Sequence, residues 1–214
     1  MKVIPFIYNH DPDEIIANTY IILDSNDNCL IVDPSKDYDG ITGFIQKNKL
    51  HLLGILLTHS HFDHMRGIKN ILKEFNDTPI YISPDDYIGL TDTDYNCSKE
   101  FDIPLTYNNV NVIFIKNFDY IDVLEKPIKV IFTPFHTKGS VCYLLESEKI
   151  LISGDTLFKS TIGRTDLISS CSSLINSSLE KLSKLDDDIK IYPGHGPFST
   201  IKEEKKSNKY LKYL

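Results

Sequence analysis

The sequence predicts an α/β fold, two β-sheets packed face to face with helices outside, and three observations support that prediction. Ten short runs rich in β-branched residues, each bounded by turn residues, read as strands. Segments with apolar residues three and four apart read as helices and divide these runs into groups. In each half of the chain a group of strands is followed by helices, and the second group opens near Asn111. Two facing sheets with outer helices are the natural way to bury that inventory. A chain of 214 residues can enclose a full hydrophobic core, so one domain is expected over 1–214, built from two half-domains at roughly 1–110 and 111–214.

In chain order, strands are expected at 3–8, 19–23 and 29–32, each closed by Asn or Asp. Helical spacing marks 38–48, and the apolar run at 53–58 reads as a buried strand. Helices at 67–75 and 84–90 flank a strand at 80–82. The stretch 91–109 is rich in Asp, Asn and Tyr and has no period, which predicts a surface loop over or beside a site. Strands at 112–115, 128–133, 141–145, 150–153 and 189–192, a helix at 172–185 and another from 200 onward complete the second half. The mixed signs of Lys202-Glu203-Glu204-Lys205-Lys206 mark a solvated helix face.

Lys and Arg number 23 against 30 Asp and Glu, a formal net charge of −7, and the basic residues are scattered. That balance argues against binding a phosphate backbone, so no nucleic-acid partner is expected. The opening Met1-Lys2-Val3-Ile4-Pro5-Phe6 lacks the features of a secretory signal, and no apolar segment is long enough to span a bilayer. A cytoplasmic protein without a membrane partner is the expectation. Cys29, Cys97, Cys142 and Cys171 are far apart and read as reduced thiols, with Cys29 and Cys142 as small buried hydrophobes.

The chemistry concentrates in Gly54-Ile55-Leu56-Leu57-Thr58-His59-Ser60-His61-Phe62-Asp63-His64, where an apolar strand runs into four potential metal ligands within six positions. Side chains alternate along an extended chain, so His59 and His61 point the same way and can share one ion. A turn into helix near Asp63 would swing Asp63 and His64 to a second position beside it. A histidine taken alone is usually structural, and His10 and His51 are read so. Three of the seven histidines around one Asp are not explained that way. Further ligands are expected just after strands: His136 in a Pro- and Gly-containing turn, Asp155 as a carboxylate able to bridge two cations, and His195 between Gly194 and Gly196. Neutral imidazoles and carboxylates suit two divalent ions, zinc first, with iron or manganese as alternatives.

Thr58-His59-Ser60-His61-Phe62-Asp63-His64, followed in order by His136, Asp155 and His195, closely resembles the metallo-β-lactamase superfamily. Thr133-Pro134-Phe135-His136-Thr137-Lys138-Gly139-Ser140, Ser153-Gly154-Asp155-Thr156-Leu157-Phe158 and Pro193-Gly194-His195-Gly196 look like its glyoxalase II branch, which hydrolyses hydroxyacylglutathione thioesters. The resemblance implies a four-layer αβ/βα sandwich of two mixed sheets with the metals at one edge. It implies His59, His61 and His136 on one ion, Asp63, His64 and His195 on the other, and Asp155 between them. Asp63 and Asp155 are the expected catalytic carboxylates, and a metal-bridging hydroxide is the expected nucleophile.

Only 19 residues, 214 − 195, follow His195, where the larger glyoxalase II enzymes carry a helical extension that helps bind glutathione. The chain therefore looks more like the compact glyoxalase II-like hydrolases, which share a Gly163-Arg164-Thr165-Asp166 type stretch. Arg164 is expected to grip a substrate carboxylate, the alternative being a structural tie to Asp166 or to backbone carbonyls. The expected substrate is a small-molecule thioester such as a glutathione conjugate. Competing readings are a mononuclear iron persulfide dioxygenase, using His59, His136 and Asp155, a lactonase or other metallo-hydrolase, and a non-catalytic metal-binding module. Tyr95, Tyr107, Tyr143 and Phe158 are candidates to line a pocket or fill the core. Oligomeric state is left open.

Overall fold

The protein is described here by a computed structural model covering residues 1–7, 14–36, 39–116 and 120–212. Tyr8, His10 and Tyr38, at which a strand end, a structural histidine and a helix start were expected, lie outside the described residues.

The first half forms one mixed sheet from β1 (Lys2–Phe6), β2 (Thr19–Leu23), β3 (Asn28–Val32), β4 (His51–Leu56), β5 (Ile80–Ile82) and β6 (Val112–Phe114), side by side in that order. β1, β2 and β3 are antiparallel, and β3 to β6 run parallel. The second half supplies β7 (Tyr120–Ile121), β8 (Ile128–Phe132), β9 (Val141–Leu145), β10 (Ile150–Gly154), the hairpin β11 (Leu157–Phe158) with β12 (Thr161–Ile162), then β13 (Lys190–Pro193) and β14 (Ser199–Thr200). Its sheet has the order β14-β13-β10-β9-β8-β7, with β10 and β13 parallel. The helices are α1 (Asp39–Lys47), α2 (Ile68–Glu74), α3 (Ile175–Ser183) and α4 (Ile201–Ser207).

Strand period explains why these runs are apolar throughout. In β2 and β3, Tyr20, Ile22, Leu30 and Val32 point toward the other sheet and meet Val130, Tyr143, Leu145 and Ile152. The alternate residues Ile21, Cys29 and Ile31 point outward onto Ile41 and Ile45 of α1 and Ile68 and Ile71 of α2. Across the molecule, Cys142, Leu144, Leu151 and Ile191 meet Leu179 and Leu182 of α3 and Ile201 of α4. Sheets covered on both faces read as continuous hydrophobic strands. The result is the predicted sandwich of four layers, helices, sheet, sheet and helices.

Several local expectations are corrected. The strand expected to reach Thr58 ends at Leu56, so the ligand segment is a loop beyond the sheet edge. Residues Pro84–Leu90 form a 3-10 helix, and Ser172–Leu174 is a 3-10 turn leading into α3. The 91–109 loop is not wholly superficial. Asn96 and Ser98 are buried, and Asn96 Nδ2 donates to the carbonyls of Gly89 and Leu105 at 2.7 and 2.9 Å, so polar side chains there satisfy interior backbone. The face of α4 is not wholly solvated either: Glu204 is buried, accepting from Ser160 N at 2.8 Å and Asn208 Nδ2 at 2.8 Å. Tyr95, Tyr107 and Tyr143 are buried in the body of the protein. Cys29, Cys97 and Cys142 are buried, and all four thiols are free. Among the described residues no helix is long and apolar enough to cross a membrane.

Candidate metal centre

Every expected ligand lies at the same sandwich edge, because each follows a strand that ends there. Beyond β4, Thr58 N and Oγ1 donate to the two oxygens of Asp33 at 2.8 and 2.6 Å. Thr58 Oγ1 also lies 3.1 Å from His59 Nδ1, which leaves His59 Nε2 to face the site. The carbonyls of Leu57 and Thr58 accept from Tyr143 Oη at 2.7 Å and Val141 N at 2.9 Å, fastening the loop to the second sheet. One 3-10 turn, Phe62–His64, then reverses the chain. It brings His64 Nδ1 to 2.9 Å from Asp33 Oδ2 and turns His64 Nε2 inward.

The second half supplies the remaining ligands. His136 Nδ1 donates to the Arg164 carbonyl at 2.8 Å. Asp155 follows β10 through Gly154, whose φ of +49 lies in the left-handed region that glycine adopts without strain. His195 follows β13. A Cβ on its neighbour Gly194 would sit 2.2 Å from Asp155 Oδ1 and 2.7 Å from His64 Cε1, so only glycine fits.

His59, His61 and His136 form a triangle with ring centroids 4.7, 4.8 and 4.6 Å apart. Beside it, Asp63 Oδ2 is 3.0 Å from His195 Nε2 and 3.6 Å from His64 Nε2. Asp155 lies between: Oδ1 is 3.2 Å from His64 Nε2, and Oδ2 is 3.5 Å from His136 Nε2 and 3.6 Å from His195 Nε2. The donor atoms fall into three groups able to hold an ion, His59-His61-His136, His59-His64-Asp155 and Asp63-His64-His195. In each group they lie within 4.8 Å of one another.

Two features of this cluster fit divalent cations. His59 Nε2, His64 Nε2, His136 Nε2 and Asp155 Oδ1 are buried without a hydrogen-bond partner, an arrangement that costs free energy unless something positive sits among them. The protonation pattern agrees. Burial, reinforced by neighbouring imidazoles, pushes His59 well below the ordinary imidazole range and His61 down to about 3, so both offer lone pairs. Burial alone would raise Asp155 and Asp63, but His195 and His64 beside Asp155, and His64 and His195 beside Asp63, hold both carboxyls below their ordinary value. Conversely, burial opposes charge on His64 and His195, yet the surrounding carboxylates, Asp155 foremost, raise both. The carboxylates thus draw positive charge onto His64 and His195, a place that a divalent cation would take instead.

Four supporting residues escaped sequence reading. Asp33 aims His64 and the Thr58 hinge, and Ser169 Oγ lies 2.8 Å from His61 Nε2. Asn18 clasps the His195 turn, its N donating to Gly194 O at 2.6 Å and its Nδ2 to Pro193 O at 3.0 Å and Gly196 O at 3.1 Å. Asp86, wholly buried, joins the two ligand loops of the triangle. Its Oδ2 accepts from Ser60 N at 2.9 Å and Thr137 Oγ1 at 2.8 Å, and its Oδ1 from Gly139 N at 2.9 Å and Tyr95 Oη at 3.0 Å. Asp33 had a legible signal, since Leu30-Ile31-Val32-Asp33 is an apolar strand ending in an acid, as Leu151-Ile152-Ser153-Gly154-Asp155 is.

The cluster opens onto a cleft of about 350 Å³ lined by His61, Asp63, His136, Asp155 and His195, with Phe158 and Arg164 on its walls. Arg164 is exposed, and its guanidinium holds Asp166 through two bonds, Nε to Oδ1 at 2.7 Å and Nη2 to Oδ2 at 2.8 Å. Its backbone carbonyl, not its side chain, is what touches a ligand histidine.

A family model for the metallo-beta-lactamase superfamily matches residues 12–195. The chain is 34% identical over 199 residues to the "Probable metallo-hydrolase YqgX" of Bacillus subtilis (strain 168), covering 92% of this chain and 93% of that protein. It is 32% identical over 180 residues to a hydroxyacylglutathione hydrolase of Francisella tularensis subsp. novicida (strain U112), covering 84% of this chain and 63% of that protein. The crystal structure of the BLEG-1 B3 metallo-beta-lactamase superposes with a TM-score of 0.85 at 31% identity, covering 91% of this chain and 94% of that one.

Proposed function

The chain belongs to the metallo-beta-lactamase superfamily and is a metallo-hydrolase, and from that premise we propose that it is a binuclear thioesterase of glyoxalase II type. The observation that carries this reading is a ligand cluster that is open on one side, with five of its members also forming the wall of the cleft. A purely structural metal site is closed by protein ligands, whereas a catalytic one keeps a position free. The similarity to a hydroxyacylglutathione hydrolase supports thioesters as the substrate class.

In this reading His59, His61 and His136 hold one ion, Asp63, His64 and His195 hold the other, and Asp155 serves both. When bound, the ions supply an activated water and a Lewis acid for the carbonyl oxygen. Asp155 would be shared by the two ions, because its carboxylate faces His136 of one set and His64 and His195 of the other. Asp63, on the cleft wall with its Oδ2 held by His195, would place a carboxylate beside the attacking water. A thiolate leaves without a strong general acid, its conjugate acid having a pKa of about 8.5.

The test is hydrolysis of S-lactoylglutathione and of simpler thioesters by protein loaded with zinc, iron or manganese, before and after chelation. Turnover that chelation abolishes and metal restores is the expected result. A fully loaded protein that hydrolyses no thioester sinks the reading and turns attention to oxygen consumption with a persulfide.

A further inference from the structure

Apart from the ligands, the cleft walls are mostly apolar: Ile15, Phe62, Phe101, Phe158 and Leu167. Phe101 packs at a tilt against Phe62 with ring centroids 5.0 Å apart and remains 42% exposed, so it offers ring area to an incoming molecule. Phe158 stands 6.1 Å from the His195 ring, on the metal side of the same cleft. Among the described lining residues other than ligands, the charged side chains are Glu100 and Arg164.

Arg164 is the cation that a carboxylate-bearing substrate would need, and its paired donors already face Asp166. The guanidinium beside it holds the Asp166 carboxyl down to about 2, through two hydrogen bonds that are both exposed to water. Glu100 stands close enough to add its negative charge to the surroundings of Arg164. A glutathione arm brings two carboxylates and one ammonium. Its carboxylates would meet an occupied guanidinium, a glutamate and a chain of net charge −7.

We propose that Asp166 sets the charge preference of the cleft by occupying Arg164, and that the protein takes thioesters with uncharged, apolar thiol and acyl arms over glutathione conjugates. This rests on the thioesterase reading for the bond cleaved. An apolar arm gains by removing Phe101 and Phe158 from water. An anionic arm meets a guanidinium whose charge Asp166 already balances, and whether it shares the remaining donors or displaces Asp166 it gains little.

Binding separates the two ideas, because it needs no turnover. Two unreactive thioethers, N-acetyl-S-hexylcysteamine and S-hexylglutathione, are titrated calorimetrically into the metal-loaded protein, its Asp166→Asn variant and the Asp166→Asn/Arg164→Ala double variant. The neutral thioether is expected to bind wild type at least about fivefold more tightly. Asp166→Asn should raise the affinity for S-hexylglutathione relative to the neutral compound by up to about fivefold, the upper end for one exposed ion pair, and Arg164→Ala should cancel that gain. Tighter binding of S-hexylglutathione by wild type, or a ratio unmoved by Asp166→Asn, overturns the proposal. Hydrolysis of the matching thioesters is followed in parallel. If neither is cleaved, the thioesterase reading fails while the charge preference is still decided by the binding ratios.

Discussion

Asp86 binds no ion in the proposed scheme, yet it governs how three ligands meet. A buried carboxylate with donors on both oxygens joins the Ser60 amide, between His59 and His61, to Thr137 and Gly139, just after His136. Replacing one oxygen by an amide nitrogen sets a donor against donors, which costs about 1–3 kcal/mol for each group left unpaired. Asp86→Asn is therefore expected to weaken the ion held by His59, His61 and His136 by about 10- to 100-fold, with less effect on the other. Chelator competition on wild type and variant measures this, and equal affinities would reduce Asp86 to a fold-holding role. The clustered candidate ligands were readable in the sequence because each chemically distinctive residue closes an apolar run, as His59 follows Leu56-Leu57-Thr58. Asp86, Asn18 and Ser169 were not, because their partners are remote in the chain, Ser169 lying 108 positions from His61.

At the scale of elements, Asp24 shows how one turn couples the two halves. Its Oδ1 accepts from Asn26 N and Asn28 N, both at 2.9 Å, closing the link between β2 and β3, while Oδ2 accepts from Asn28 Nδ2 at 3.1 Å and Glu125 N at 3.2 Å. Burial alone would raise this carboxyl, but those hydrogen bonds pull it below its ordinary 3.8. A carboxyl lowered on folding stabilises above its unfolded pKa, and that stability is lost as pH falls through the folded value. Asp24→Asn should therefore cost about 1 kcal/mol at pH 7, and the deficit should shrink below pH 3.8. Urea unfolding at neutral pH and near pH 3 checks it; a deficit constant across that range contradicts the charged role. The long strands and amphipathic helices were legible from period. The two-residue strands β7, β11, β12 and β14 were not, since two residues display no period and exist only because a neighbouring strand offers hydrogen bonds.

The whole molecule places its candidate metal ligands across a seam: the 59–64 segment comes from the first sheet's half, and His136, Asp155 and His195 come from the second. Ions bound there would tie the halves together, and any ligand that binds only the folded state stabilises it. At a free-metal concentration about 100 times Kd the gain is about 2.7 kcal/mol, which for a protein of this size raises Tm by roughly 5–10 °C. Calorimetric scans before and after chelation should show that drop and its reversal on readdition of zinc, iron or manganese; an unmoved Tm would argue against binding. The sequence by itself determined the alternation of strands and helices, the four-layer burial and the candidate ligands, because periodicity and residue chemistry are local properties. Only the tertiary structure decided that these side chains converge into groups able to hold an ion, that Asp155 lies among them, that Asp33, Asp86, Asn18 and Ser169 orient them, and that Asp166 occupies Arg164. Those are distances between groups far apart in the chain, set by how the two sheets pack rather than by any one segment.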